Sequence, residues 1–162
     1  MEFPDKRRVM EALIEALTAA VQATASSAED VRRSATHEEA RPENDKDTRA
    51  LEQTYLARGQ AMRAEALMAQ VQLLRSMLSD NLSRDEIVAG SLIHLEDEDG
   101  GTRCLFLAPH GGGVNLAVDG MTVVVVTPSS PLGRALLGKR PDDSIELKSR
   151  DGSREFTVLA VR

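Results

Sequence analysis

Residues 129–139 read SSPLGRALLGK, and this stretch decides how the second half of the chain folds. Pro131 suits the first turn of a helix, and either serine before it can cap that turn. Gly138 stands where a left-handed residue commonly ends a helix. We therefore predict one short capped helix, preceded by a buried apolar strand at Met121–Val126.

The same residues carry the glycine and lysine spacing of a phosphate-binding loop, G-x-x-x-x-G-K-[ST]. Such a loop needs a hydroxyl directly after the lysine to bind Mg²⁺, and a helix that starts there. Here Arg140 and Pro141 follow Lys139, and the predicted helix lies inside the motif. The pattern therefore argues against nucleotide binding.

Composition excludes several classes of protein. A net charge of −6 over 162 residues does not fit a generic nucleic-acid binder, which carries a basic stripe or a high pI. A single cysteine, Cys104, rules out an internal disulfide and suits a reducing cytoplasm. We expect no signal peptide and no membrane span, because no apolar run approaches the roughly 20 residues that a span needs. Aromatic residues make up 2% of the chain, which is low for an aromatic-walled ligand pocket.

The first half predicts two long helices. In both, apolar residues recur at alternating spacings of four and three, which is the heptad pattern of a coiled coil. Pro42 interrupts the pattern, because proline cannot continue a helix interior. We predict an antiparallel coiled-coil hairpin over residues 1–80, with its tip at about residues 42–47. Its predicted seam comprises Met10, Ile14, Leu17, Val21, Thr24, Ala28, Val31 and Ala35, facing Ala57, Ala61, Ala64, Met68, Val71 and Leu78.

The second half predicts a small sheet. Residues 84–162 hold nearly all the glycine and most of the β-branched residues, and glycine-rich turns separate short apolar runs. We predict an α+β domain, an antiparallel sheet with the one short helix. The predicted strands cover residues 91–95, 103–107, 121–126, 144–147 and 155–159.

The hairpin tip carries the candidate chemistry. Glu43, Asp45 and Asp47 lie close together there. In most proteins such acids form a solvated turn that caps the next helix. Placed at the end of a long rod, they could instead be delivered into a channel to bind Mg²⁺, which prefers oxygen ligands and can activate water for phosphodiester hydrolysis. Neither zinc-ligand spacing nor a nucleophile elbow is evident in the chain.

The helical hairpin, followed by a sheet domain that carries S-P-L-G-R-A-L-L-G-K at residues 130–139, resembles the Gre family of bacterial transcription elongation factors. Gly90-Ser91 before the first strand and the strand that begins at Asp143 fit the same pattern. The resemblance covers nearly the whole chain. It implies an FKBP-like C-terminal domain and a cytoplasmic bacterial protein.

The resemblance also implies a mechanism. The C-terminal domain would dock on RNA polymerase at the rim of its secondary channel, and the hairpin would enter the channel toward the 3′ end of the nascent RNA. The tip acids would help to hold Mg²⁺ shared with the polymerase active site. The polymerase itself would cut backtracked RNA, so the chain would be a monomeric factor without an intrinsic cofactor, and not an enzyme. The implied docking residues are Ser130, Pro131, Leu132, Gly133 and Arg134.

The tip departs from the family pattern, which reads approximately D-L-[SK]-E-N-A-E-Y. If Tyr55 takes the place of the family tyrosine, Thr48 and Leu51 occupy the positions of the two acids. Another register brings Asp45 or Asp47 to the tip, with a lysine between them. Three functions therefore stay open. They are stimulation of transcript cleavage, regulation from the secondary channel without cleavage, and, in a different class, a coiled-coil adaptor for another protein.

Overall fold

A computed structural model describes residues 2–38, 46–77, 86–149 and 152–162 of the chain. These residues form two compact units, one of residues 15–73 and one that joins residues 1–14 to residues 74–162. The predicted domain boundary at residues 80–84 lies outside the described residues. The elements are α1 (Lys6–Glu38), α2 (Lys46–Met77), β1 (Leu92–Asp97), β2 (Thr102–Leu107), β3 (Asn115–Val118), β4 (Met121–Val126), α3 (Pro131–Leu136), β5 (Ser144–Ser149) and β6 (Gly152–Val161).

The buried face of α1 follows the predicted heptad pattern. Met10, Ile14, Leu17 and Val21 are all buried, as predicted, and Thr24 is half-buried. Val9 and Leu13 widen this face toward the start of the helix, where both are fully buried. A face this wide is typical of a helix that packs on a core as well as on another helix. The last three predicted seam residues, Ala28, Val31 and Ala35, lie where no side chains are described.

The seam of α2 differs from the prediction. Ala61 and Met68 are exposed, Met68 by 54%, so neither belongs to the buried face. Gln60 and Leu67 take their places, because they continue the alternation of three and four that runs through the buried alanine and valine. The sequence pattern misled because Gln60 is polar. The buried and half-buried positions are Ala57, Gln60, Ala64, Leu67, Val71 and Leu74.

The six strands form one sheet in the order β3-β4-β2-β1-β6-β5. Neighbouring strands are antiparallel except for β2 and β4, which run parallel from the pair Cys104 and Val123 to the pair Leu107 and Val126. The fold class is confirmed as helices followed by a β domain with one short helix, but the sheet is mixed and not wholly antiparallel. The reason is β3, which the sequence analysis missed. It forms a hairpin with β4 through Asp119 and Gly120, both at positive φ, and this turn sends β4 back along β2.

Both faces of the sheet are covered. One face packs on α3 and forms the core of the domain, which comprises Ile87, Ile93, Leu95, Leu105, Leu107, Val126, Leu136, Ile145, Phe156 and Val158. On the other face, the N-terminal residues meet β1 and the β3–β4 turn. The Phe3 ring lies 4.3 Å from the His94 ring, and Arg8 forms an ion pair with Asp119. The strand β1 is therefore buried on both faces along most of its length.

None of the helices in the described ranges is long and apolar enough to cross a lipid bilayer.

Candidate functional site

The turn between β4 and α3 is fixed by the hydroxyl of Ser130. Its Oγ accepts a hydrogen bond from the backbone N–H of Gly133 at 3.0 Å and donates to the carbonyl of Thr127 at 2.8 Å. Ser130 has an extended backbone and Pro131 opens the helix, so the predicted cap is confirmed and assigned to Ser130. The cap holds a helix of only six residues rigidly against the end of a buried strand.

Gly133 allows α3 to approach the strand end closely. A Cβ atom built on Gly133 would lie 2.0 Å from the carbonyl oxygen of Thr127 and 2.7 Å from its carbonyl carbon. Both atoms belong to the backbone, so a side chain here would have to displace the whole turn. The glycine is thus required by this contact and not by its own dihedral angles.

The far end of α3 is tied to the segment before β1. Gly138 adopts the left-handed conformation with φ +75°, which confirms its predicted place at the helix end. Its N–H donates to the carbonyl of Ile87 at 3.0 Å, and the N–H of Ile87 donates to Lys139 at 2.8 Å. Because Ile87 is fully buried in the core, these bonds fix α3 at both ends.

The exposed side of α3 is a small surface with one charge. Arg134 is exposed, and its Nη1 donates to the carbonyl of Ser129. Its planar guanidinium carries five donors, a geometry that suits a carboxylate partner. Leu137 is 42% exposed beside it. We call Ser129, Pro131, Arg134 and Leu137 the α3 surface.

The structure divides the five predicted docking residues into two groups. Pro131 and Arg134 are exposed and can touch a partner directly. Gly133 is buried, and Ser130 and Leu132 are half-buried. The second group therefore positions the first.

The predicted catalytic acids are not brought together by the structure. Glu43 and Asp45 lie outside the described residues. Asp47 is the second residue of α2, and its side chain also lies outside the described part. Their role stays a prediction from the sequence.

The acids of the β1–β2 turn have structural partners. The Asp97 carboxylate accepts a hydrogen bond from the N–H of Gly101 at 2.7 Å and lies 3.4 Å from the Arg103 guanidinium. Glu98 accepts from the N–H of Glu155 on β6. These carboxylates stabilise the turn and its neighbour strand. Within the ranges that the structure describes, no group of three or more His, Cys, Asp or Glu side chains is arranged to hold a metal ion.

Two titratable side chains are buried in the sheet. Burial raises the pKa of the Cys104 thiol to about 11, so the thiolate needed for reactivity is not formed near neutral pH. Burial also lowers the pKa of His94, and the nearby positive N-terminus lowers it further, whereas the contact with the carbonyl of Glu2 acts in the opposite direction. His94 is therefore a neutral, packed side chain at neutral pH.

Sequence reasoning missed the contacts that hold the N-terminal segment. The Asp119 carboxylate binds Arg8 and also accepts from the backbone N–H of Asp5 at 3.0 Å. The Asp119-Gly120 pair was a usable signal, because Asp-Gly is a strong hairpin turn. Its second role, as an anchor for the start of α1, depends on the tertiary fold.

These features define a class of α+β proteins, in which long N-terminal helices precede a sheet domain that displays a short capped helix. The family model described as "Transcription elongation factor, GreA/GreB, C-term" matches residues 82–162. This match covers half of the chain and includes all of the α3 surface. The chain belongs to the GreA/GreB family of transcription elongation factors.

Relatives of known sequence carry two kinds of name. The "Transcription inhibitor protein Gfh1" of Thermus thermophilus is 34% identical over 89 residues, which is 55% of this chain and 55% of Gfh1. The chain thus spans about half the length of this relative. The "Transcription elongation factor GreA" of Zymomonas mobilis is 29% identical over 133 residues, 76% of each chain.

Solved structures of similar proteins carry the same two names. A structure of the transcription factor Gfh1 is 24% identical, with a TM-score of 0.39, and the match covers 93% of this chain and 94% of that one. A GreA/GreB factor from Nitrosomonas europaea is 19% identical, with a TM-score of 0.38, and the match covers 62% of this chain and 88% of that one.

Proposed function

We propose that this chain binds RNA polymerase at its secondary channel and regulates transcript elongation, docking through the α3 surface. The observation that carries the proposal is the rigid display of Pro131 and Arg134 by a helix fixed at both ends. A docking surface gains affinity when its side chains are held in place before binding. Membership of the GreA/GreB family supports the same partner.

The α3 surface suits a polymerase site that combines an acidic side chain with apolar contacts. The Arg134 guanidinium can form paired hydrogen bonds with one carboxylate. Pro131 and Leu137 lie on either side in the sequence and offer apolar area next to the charge. Arginine surrounded by apolar contacts is typical of the residues that dominate binding energy in interfaces.

The docking proposal is tested by reversing the charge of Arg134. We expect Arg134→Glu to weaken binding to core RNA polymerase by about tenfold or more, since a carboxylate would face a carboxylate. Arg134→Lys should give an intermediate loss, because lysine lacks the planar fork. Binding is measured by titrating labelled factor with polymerase.

The matched control is Lys148→Glu, an equal charge change at an exposed position of β5. It should leave the affinity unchanged. Equal affinities for the parent and Arg134→Glu would overturn docking through the α3 surface.

We further propose that Glu43, Asp45 and Asp47 help the polymerase to cleave backtracked RNA. The set offers three carboxylates, which are the hard oxygen ligands that Mg²⁺ prefers, so the residue types fit the ion. When bound, Mg²⁺ activates water for attack on a phosphodiester. The chain itself would supply ligands and orient them, and the polymerase would supply the active site.

A second candidate is regulation from the same channel without cleavage. Two observations favour it. The register set by Tyr55 places Thr48 and Leu51 at the acid positions, and neither side chain is a carboxylate. One relative also carries the name of a transcription inhibitor. Under this proposal the chain would occupy the channel and change initiation, pausing or entry of nucleotides.

One assay separates the two candidates. A reconstituted backtracked elongation complex with Mg²⁺ is incubated with the chain, with its Glu43→Ala/Asp45→Ala/Asp47→Ala variant, or with no factor. Cleavage above background that the variant loses would support stimulation by the tip acids. Binding to polymerase without added cleavage would support the second candidate. Neither binding nor cleavage would overturn both.

A further inference from the structure

Helix α2 carries a second apolar stripe on the face opposite its buried seam. The stripe alternates spacings of four and three, so its members lie in one line along the helix. Its large members are exposed, Tyr55 by 66%, Met62 by 62% and Leu73 by 46%. We call this line the α2 stripe, and it consists of Tyr55, Gly59, Met62, Ala66, Ala69 and Leu73.

A helix with apolar lines on two opposite faces is built to contact two partners. The seam through Ala64 and Val71 is already buried in the chain. The α2 stripe faces solvent, and a continuous line of exposed Tyr, Met and Leu is typical of an interaction surface. Its heptad spacing predicts that the partner is another helix, packed as in a coiled coil.

The order of large and small residues fits a second copy of the same helix, packed antiparallel. In one register, Tyr55 lies opposite Ala66 of the second copy, and Gly59 lies opposite Met62 of the second copy. A two-fold axis repeats both contacts. Each large side chain thus meets a small one, which allows the two helices to approach closely.

The charges beside the stripe select this register. Arg58 and Glu65 are exposed on the same edge of the α2 stripe. In the register above, Arg58 lies next to Glu65 of the second copy, and symmetry forms the pair twice. Arg63, on the other edge, lies next to Leu56 of the second copy, whose apolar surface its stem can cover.

Sliding one helix by a heptad removes this match. The register centred on the middle of the stripe would place Glu65 next to Glu65, and Arg63 next to Arg63. Like charges at the edges of a coiled coil are unfavourable, and they direct pairing toward the other register. The sequence therefore combines attraction in one arrangement with repulsion in the alternative.

We propose that the chain forms a homodimer through the α2 stripe, with the two α2 helices antiparallel and Arg58 paired with Glu65 across the interface. This inference departs from the monomer expected from the sequence. It is independent of polymerase binding, because it depends only on α2.

The test is a charge exchange followed by light scattering across a wide range of protein concentration. We expect the parent to pass from monomer to dimer within this range. Arg58→Glu alone, and Glu65→Arg alone, should each raise the dimer dissociation constant about tenfold, because each puts two like-charge pairs into the interface. The Arg58→Glu/Glu65→Arg double variant should restore the parent constant.

Arg75→Glu is the matched control, since Arg75 is exposed on α2 but lies off the stripe and its edges. It should leave the dissociation constant unchanged. Met62→Lys should abolish the dimer without loss of helicity by circular dichroism. A parent that stays monomeric at all concentrations would overturn the proposal, as would a double variant that fails to restore the dimer. A monomeric parent whose polymerase binding is lost in Met62→Lys would assign the stripe to the polymerase instead.

Discussion

At the scale of single residues, Gly133 is the position where the sequence permits no side chain. The backbone of Thr127 occupies the space that a Cβ would need. The sequence alone did not reveal this, because a glycine in a short helix could equally serve flexibility. Only the close approach of α3 to the end of β4 identifies the reason.

We expect Gly133→Ala to lower the free energy of unfolding by about 2 kcal/mol or more, because the new methyl group would push the capped turn off the strand. Chemical denaturation followed by circular dichroism measures the change. Gly59→Ala is the control at a concentration where the chain is monomeric, since a Cβ there meets nothing within 4 Å. That change should raise stability by up to about 1 kcal/mol, because alanine favours a helix over glycine. Equal effects of the two changes would contradict the packing argument.

At the scale of elements, the seam of α2 contains one polar residue out of place. The Oε1 atom of Gln60 is buried without a hydrogen-bond partner among the described residues. An unsatisfied polar atom costs free energy because it has lost its hydrogen bonds to water.

Replacing Gln60 with leucine should therefore stabilise the chain, by about 1 kcal/mol. The measurement is the urea midpoint at constant protein concentration. Gln72→Leu makes the same chemical change at an exposed position of the same helix, and it should have little effect on stability. A Gln60→Leu chain less stable than its parent would mean that the amide makes a contact the structure does not reveal.

The elements also indicate how far the sequence could predict the fold. Both helices, five of the strands and the capped helix follow from local periodicity and from Ser130, Pro131 and Gly138. The strand β3 did not, because four residues after a glycine-rich loop carry too little periodicity. Missing β3 also hid the parallel pairing of β2 and β4, since the direction of β4 is set by its hairpin with β3. For the candidate site, the sequence predicted the α3 residues but could not divide them into exposed and positioning groups, a distinction that depends on tertiary packing.

At the scale of the whole molecule, His94 links the N-terminal residues to the sheet. Its ring is buried against Phe3, and its pKa is lowered chiefly by this burial from the ordinary value of 6.5. As the pH falls below 6.5, the unfolded chain takes up a proton that the folded chain does not, so stability decreases until the folded pKa is passed.

We expect the parent to lose more stability than His94→Gln between about pH 7 and pH 5, because only the parent carries this titrating group. Denaturation curves of both chains at several pH values give the comparison. Parallel loss of stability in the two chains would show that other groups account for the pH dependence.

The attachment of residues 2–14 to the sheet has a consequence for synthesis. The first residues to leave the ribosome contact His94 and Asp119, which are translated roughly a hundred residues later. Until then Phe3 and the buried side of early α1 have no sheet to cover them. The beginning of this chain must therefore complete its packing among the last parts, and nascent chains stalled before the β3–β4 turn should expose that apolar segment to chaperones.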